Sequence, residues 1–210
     1  MISVDDLDVL LRDGLRDLGL RCPEIDRARL LRFVELLRRW GEVYNLTSID
    51  EPENIVRLHL LDSLSIEPRL HGTTVLDVGT GAGLPGIPLA IACPDRQFSL
   101  LDRSAKKLRF VQQAAIELGL GNVRVIHARV EQCAAGERYD TIVTRAYGSL
   151  ADIWEQSRHL LAPDGVVLAM KGRRSELDLD AVDGVDLRVL PLSVPGLAAE
   201  RHLVELRPGR

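Results

Sequence analysis

The chain has 210 residues, 46% of them apolar and 28% charged, with a formal net charge of −4. That length allows one substantial domain with its own core, and the balance excludes a disordered or membrane-spanning class, since no apolar run approaches the ~18 residues that cross a bilayer. The net charge neither points to nucleic acid nor excludes it, because a folded RNA can be met by a local basic face; Arg103, Lys106, Lys107 and Arg109 form one such cluster, and Lys171, Arg173 and Arg174 another.

The N-terminus MISVDDLDVLLRDG carries acids where a signal peptide carries Lys or Arg, so a cytoplasmic address is expected. Leu7, Leu10, Leu11, Leu15 and Leu18 recur at helical spacing behind Ser3, a fitting N-cap, with Asp5 and Asp6 in the first turn and Gly19 as the stop. Pro23 opens a second helix with Leu30, Val34 and Leu37 on its apolar stripe. The polar stretch YNLTSIDEPEN follows, and then IVRLHLLDSL, helical again. Residues 1–72 therefore read as a helical cap. His59 sits on an apolar helical face and reads as a structural histidine.

After Gly72 the texture changes to alternating strands and helices. Strands are predicted at 73–78, 98–102, 123–128, 139–145, 165–172, 186–192 and 201–206, with helices over IPLAIA, 104–118 and 150–161. This alternation predicts βαβ units and a mostly parallel sheet covered on both faces. With no clear linker, 1–210 is expected to be one domain, its α/β core running from 73 to 210. The three cysteines, Cys22, Cys93 and Cys133, share no CxxC spacing, so neither a metal site nor a disulfide framework is expected.

VLDVGTGAGLPGIPLA, residues 75–90, places Gly79, Gly81 and Gly83 directly after the first strand, where open α/β sheets bind ligands. Gly81, Gly83 and Gly86 also match the dinucleotide fingerprint. Charge separates the two readings. A pyrophosphate needs free N–H groups and no nearby anion, whereas here Asp77 stands at the strand end and Pro85 and Pro88 lack N–H groups. An acid facing the ligand suits a cationic one, so S-adenosylmethionine is favoured over a nicotinamide dinucleotide. Asp102, at the end of the second strand, is placed to receive ribose hydroxyls in either case. Val130 and Glu131, after the third strand, are candidates for the adenine. Arg145, after the fourth, suits the methionine carboxylate or an RNA phosphate. Tyr44 and Asn45 are candidates to stack on or hydrogen-bond a splayed base, with Asn45 and Thr47 alternatively capping the inter-helix turn; Lys171 is a candidate phosphate contact.

The strings NLTS, HLLDS, DVGTGAGLPGIPLA, LLDRSAKKLRFV, ARVEQ, TRAYGSL, MKG and ERHLVEL follow one another over roughly residues 37 to 206. In that order they resemble the bacterial small-subunit ribosomal RNA guanine-N7 methyltransferases, the glucose-inhibited division protein B family. The resemblance implies a Rossmann-like S-adenosylmethionine-dependent fold and a substrate, N7 of one guanosine in 16S rRNA. It also implies cofactor contacts at Gly79, Leu84, Val130, Glu131 and Arg145. Ala82 and Tyr147-Gly148 depart from the family's usual residues.

No catalytic acid–base pair is visible, and guanine N7, which already carries an exposed lone pair, needs none. The expected enzyme is a monomer acting on 16S rRNA or the small subunit. Its rivals are a methyltransferase with another substrate, a dinucleotide oxidoreductase and a non-enzymatic assembly factor.

Overall fold

Helix α1 (Val4–Asp17) begins where the sequence places its cap: Ser3 Oγ accepts from the Asp6 N–H at 3.1 Å while the Asp6 carboxylate accepts back from the Ser3 N–H. Gly19, with φ of 72°, ends it. Leu7, Leu11 and Leu15 are buried, and Gly14 lies so close under Leu61 that a methyl group has no room there. Helix α2 (Glu24–Tyr44) buries Leu30, Phe33, Val34, Leu36 and Leu37. The computed structural model describes residues 2–44, 46, 49–133, 136–145, 147–173, 182 and 184–209, with backbone alone for 42–44. The roles expected of the Tyr44 side chain, of Asn45 and Thr47, and of Arg174 fall outside the described residues.

The segment read as one helix over IVRLHLLDSL is three pieces: α3 (Pro52–Ile55), a π-helical turn (Val56–Leu61) and α4 (Asp62–Leu64). A π turn inserts one residue and re-aims the side chains that follow it, and the residue directly after this one is Asp62.

Seven strands form one sheet in the order β3-β2-β1-β4-β5-β7-β6: β1 (Thr74–Val78), β2 (Gln97–Asp102), β3 (Val123–His127), β4 (Tyr139–Arg145), β5 (Leu161–Lys171), β6 (Val185–Leu192) and β7 (Arg201–Pro208). All neighbours are parallel except those of β7, which runs antiparallel between β5 and β6. Helices α5 (Gly86–Ala92), α6 (Ala105–Glu117) and α7 (Leu150–Ser157) complete the α/β layers. β5 is longer than the strand predicted at 165–172, because Leu161 already pairs with Tyr139 before a register shift. The chain reverses strand order between β1 and β4, and the carboxyl ends of those strands frame a crevice.

The cap and one face of the sheet share a core in which Phe33 and Trp40 meet Phe110 of α6, with ring centroids 6.1 and 5.6 Å apart. Leu150, Ile153 and Trp154 of α7 cover the other face. Both faces are apolar, which is why β5 carries the unbroken apolar run VVLAM.

Candidate functional site

The turn after β1 is held by its own backbone. Gly79 N–H and Thr80 N–H both donate to Leu101 O, at 2.9 and 3.0 Å. Gly83 and Leu84 donate to Thr80 O, and Ile87 donates to Gly83 O. Gly81 N–H donates to Asp102 Oδ2 at 2.9 Å, and Gly86 N–H to Asp77 Oδ2 at 2.9 Å. A diphosphate cradle needs these donors free, and they are spent on protein acceptors. This argument against a dinucleotide is stronger than the charge argument, and only the structure supplies it.

Asp77 itself requires a correction. Its carboxylate does not face the crevice; it turns inward and is fully buried, with Oδ2 accepting from Thr80 Oγ1 at 2.6 Å and from Gly86 N–H. Gly86 must be glycine because a Cβ there would strike Leu100 and the Asp77 carboxylate. Burial raises the Asp77 pKa to about 7, against the lowering effect of those two hydrogen bonds. Asp77 Oδ1 has no hydrogen-bond partner.

An acid whose folded-state pKa is raised favours folding fully below its unfolded pKa near 4, and that contribution is lost as pH rises through about 7. We therefore expect Asp77→Asn to remove a stability decline of a few kcal/mol at most between about pH 4 and pH 7. Urea denaturation of both proteins at pH 5 and pH 8 checks it; parallel curves would show that the carboxyl is not strained by burial.

Beside the turn lies a cavity of about 500 Å³. Of the predicted cofactor residues, Gly79, Asp102, Val130 and Glu131 line it, together with Arg103, Lys107, Arg129, Tyr147, Asp152 and Gln156. Asp102 is 7% exposed, and its Oδ1 accepts from Ser104 N–H at 2.7 Å, joining the Gly turn to the start of α6. Val130 is buried and Glu131 is exposed. Gly83 and Leu84 lie in the core below the turn, Gly83 against Ile87 and Phe33, so they shape the turn without lining the cavity.

Arg145 and Lys171 are not in that cavity's wall. They line a second one of about 400 Å³, with Leu58, His59, Asp62, Met170 and Arg201. Arg145 Nη1 donates to Leu58 O at 3.1 Å and pairs with Asp62 Oδ2 at 3.3 Å. Lys171 Nζ donates to Gly148 O at 2.7 Å and Tyr147 O at 3.3 Å, and burial lowers its pKa. Burial and the Arg145 charge push the His59 pKa down to about 4, so its imidazole is neutral at pH 7.

The segment 147–148 divides the two cavities. The Tyr147 ring and Gly148 line the first, and Lys171 reaches the carbonyls of both residues from the second. Tyr147 lies flush on Gly79, where a Cβ would stand 2.8 Å from the ring, and its hydroxyl donates to Gln156 Oε1 at 2.6 Å. Sequence reasoning gave Asp62, Arg201 and the Tyr147 ring no role. The strings HLLDS, ERHLVEL and TRAYGSL contain them, but nothing in a string shows that its residues meet. Among the described residues no group of three or more His, Cys, Asp or Glu is placed to hold a metal, and no helix is long and apolar enough to cross a membrane.

The family model for rRNA small subunit methyltransferase G (GidB) matches residues 26–204. The chain belongs to that family. It is 56% identical over 200 residues to the ribosomal RNA small subunit methyltransferase G of Methylococcus capsulatus, covering 95% of this chain and 98% of the relative. It is 48% identical to the protein of the same name from Coxiella burnetii, covering 94% of this chain and 96% of that protein. Among solved structures, a methyltransferase from Geobacter sulfurreducens superposes with a TM-score of 0.60 at 17% identity, over 84% of this chain and 90% of that one. A SAM-dependent methyltransferase from Aquifex aeolicus gives 0.57 at 18% identity, over 77% and 96%. At these identities the structural likeness speaks for the fold alone, and it agrees with the Rossmann-like α/β class expected from the sequence.

Proposed function

We propose that this chain transfers the methyl group of S-adenosylmethionine to N7 of a guanosine in 16S ribosomal RNA. The observation that carries the choice of donor is the Gly turn, in which the N–H groups of Gly79, Thr80, Gly81, Gly83, Leu84 and Gly86 are already bonded, beside a cavity that Asp102, Glu131 and Asp152 line together with basic residues. Arg103, Lys107 and Arg129 share that wall and match its acids in number, so the choice of donor rests on the bonded turn and on the family to which the chain belongs. The orphaned Oδ1 of Asp77 adds a buried acceptor behind the turn. When bound, S-adenosylmethionine supplies an electrophilic methyl on a sulfonium.

In this reading Gly79, Asp102, Val130 and Glu131 contact the cofactor. Asp77, Gly81, Gly83 and Leu84 hold the turn in shape, and Arg145 and Lys171 serve the acceptor side. Tyr147 stands between the two pockets. The chain's task is alignment, since guanine N7 presents a lone pair without deprotonation. In this reading the enzyme acts as a monomer on the small subunit in the cytoplasm.

The test is transfer of labelled methyl to rRNA from a strain lacking the endogenous enzyme, with the product nucleoside identified by mass spectrometry. We expect 7-methylguanosine at one site. Label on another atom, or none on RNA while the protein binds S-adenosylmethionine, would overturn the substrate assignment.

A further inference from the structure

Asp62 is 3% exposed, and each of its carboxylate oxygens takes a different arginine. Oδ2 pairs with Arg145 Nη1 at 3.3 Å, and Oδ1 accepts from Arg201 Nε at 3.2 Å. The three residues come from α4, the end of β4 and the start of β7. Both arginine side chains keep part of their surface, 21% and 27%, and both line the second cavity with Lys171.

Stability alone does not account for such an arrangement. A buried Arg–carboxylate–Arg cluster costs desolvation that well-packed apolar side chains avoid, and replacing one with apolar residues is often neutral or stabilising. Two guanidiniums on one carboxylate also repel each other and leave a surplus charge. Counting Lys171, and with His59 neutral, the titratable groups on this wall carry three positive charges against one negative. A cavity with that surplus, beside the methyl-donor cavity, fits an anion that each arginine meets with its remaining N–H groups.

We propose that Asp62 is a positioning residue: it holds Arg145 and Arg201 apart and aimed, as a two-armed receptor for a backbone phosphate at the target nucleotide. The inference rests on the rRNA methyltransferase reading above. It adds Asp62 and Arg201 to the residues that serve the RNA, and explains the π turn as the device that aims Asp62 between them.

The experiment compares wild type with Asp62→Asn, Arg201→Ala and Arg201→Lys, using small subunits that lack the methyl mark. RNA affinity is measured across a salt series, KM and kcat by methyl transfer, cofactor affinity by calorimetry, and folding by thermal denaturation. Arg201→Ala is expected to lower the slope of log affinity against log salt by about 1, as loss of one phosphate contact requires. Arg201→Lys keeps the slope and loses affinity, because the charge stays while the fork is gone. Asp62→Asn raises KM for the subunit by roughly tenfold or more at little change in cofactor affinity.

A salt slope unchanged in Arg201→Ala overturns the phosphate assignment. An Asp62→Asn protein whose only defect is a lower melting temperature, with KM normal where it is folded, overturns the positioning role. Cofactor affinity falling in parallel with RNA affinity assigns the cluster to the donor instead. Wild type that fails to methylate the subunit sinks the functional reading itself, an outcome distinct from variants that match an active wild type.

Discussion

Replacing Asp102 with alanine weakens S-adenosylmethionine binding by about 100-fold or more. The side chain does two things at once. Its oxygens accept from Gly81 N–H at 2.9 Å and Ser104 N–H at 2.7 Å, so it fixes the Gly turn against the start of α6. It also stands in the cavity wall at the tip of β2, the place where the proposed cofactor's ribose hydroxyls would meet an acceptor. Each charge-assisted hydrogen bond lost, with its N–H left without a partner, costs roughly 1.5–3 kcal/mol, and about 1.4 kcal/mol is tenfold in affinity. Asp102→Asn keeps one accepting oxygen and lands between wild type and Asp102→Ala. Titration calorimetry reads all three; an alanine variant binding within about twofold of wild type would remove Asp102 from the site.

Gly81→Val is expected to bring cofactor binding below detection. Gly81 sits at φ of 58°, where an L residue costs roughly 1–2 kcal/mol and a β-branched one more. The space its Cβ would enter holds only Gly79 O at 3.8 Å and Lys107 Nζ at 4.0 Å, on the side of the turn where Lys107 lines the cavity. The valine therefore crowds Lys107 at the edge of the cavity and pulls the Gly81 N–H off Asp102. Gly119→Val is the matched control: φ is 66°, nothing lies within 4 Å, and it follows the far end of α6. Both variants carry similar backbone strain, and Gly81→Val adds the loss of its bond to Asp102, so its thermal shift should be the larger and it alone should lose the ligand. Equal cofactor affinity in the two would mean the turn does not touch it.

A pKa near 7 for Asp77 places the turn's buried charge within the physiological range. The sequence argument that chose the donor relied on that carboxylate facing outward. The conclusion survives for another reason. Asp77 is consumed in holding Thr80 and Gly86, and the N–H groups of Gly79, Gly81, Gly83 and Gly86 are spent on protein acceptors. The residue that signals the ligand class in the sequence thus does so indirectly, by building a turn whose glycine N–H groups are bonded within the protein.

Much of this protein is decided by its sequence alone. The leucine spacing and Ser3 cap set α1; alternating apolar runs set the strands to within a few residues of where they lie; and the chemistry at the strand tips, Gly79, Asp102, Val130 and Glu131, follows from strand ends and turns that are local properties. Local pattern cannot show which way a side chain turns once its neighbours arrive, or which distant residues meet. Asp77 points inward because Thr80 and Gly86 close over it. Arg145 lines the second cavity, where Asp62, delivered by a π turn, pairs with it and with Arg201, a residue 139 positions away from Asp62. The antiparallel β7 that brings Arg201 there is fixed by hydrogen bonding to β5 and β6. Charge pairing across the fold is a long-range term, and tertiary structure alone decides it.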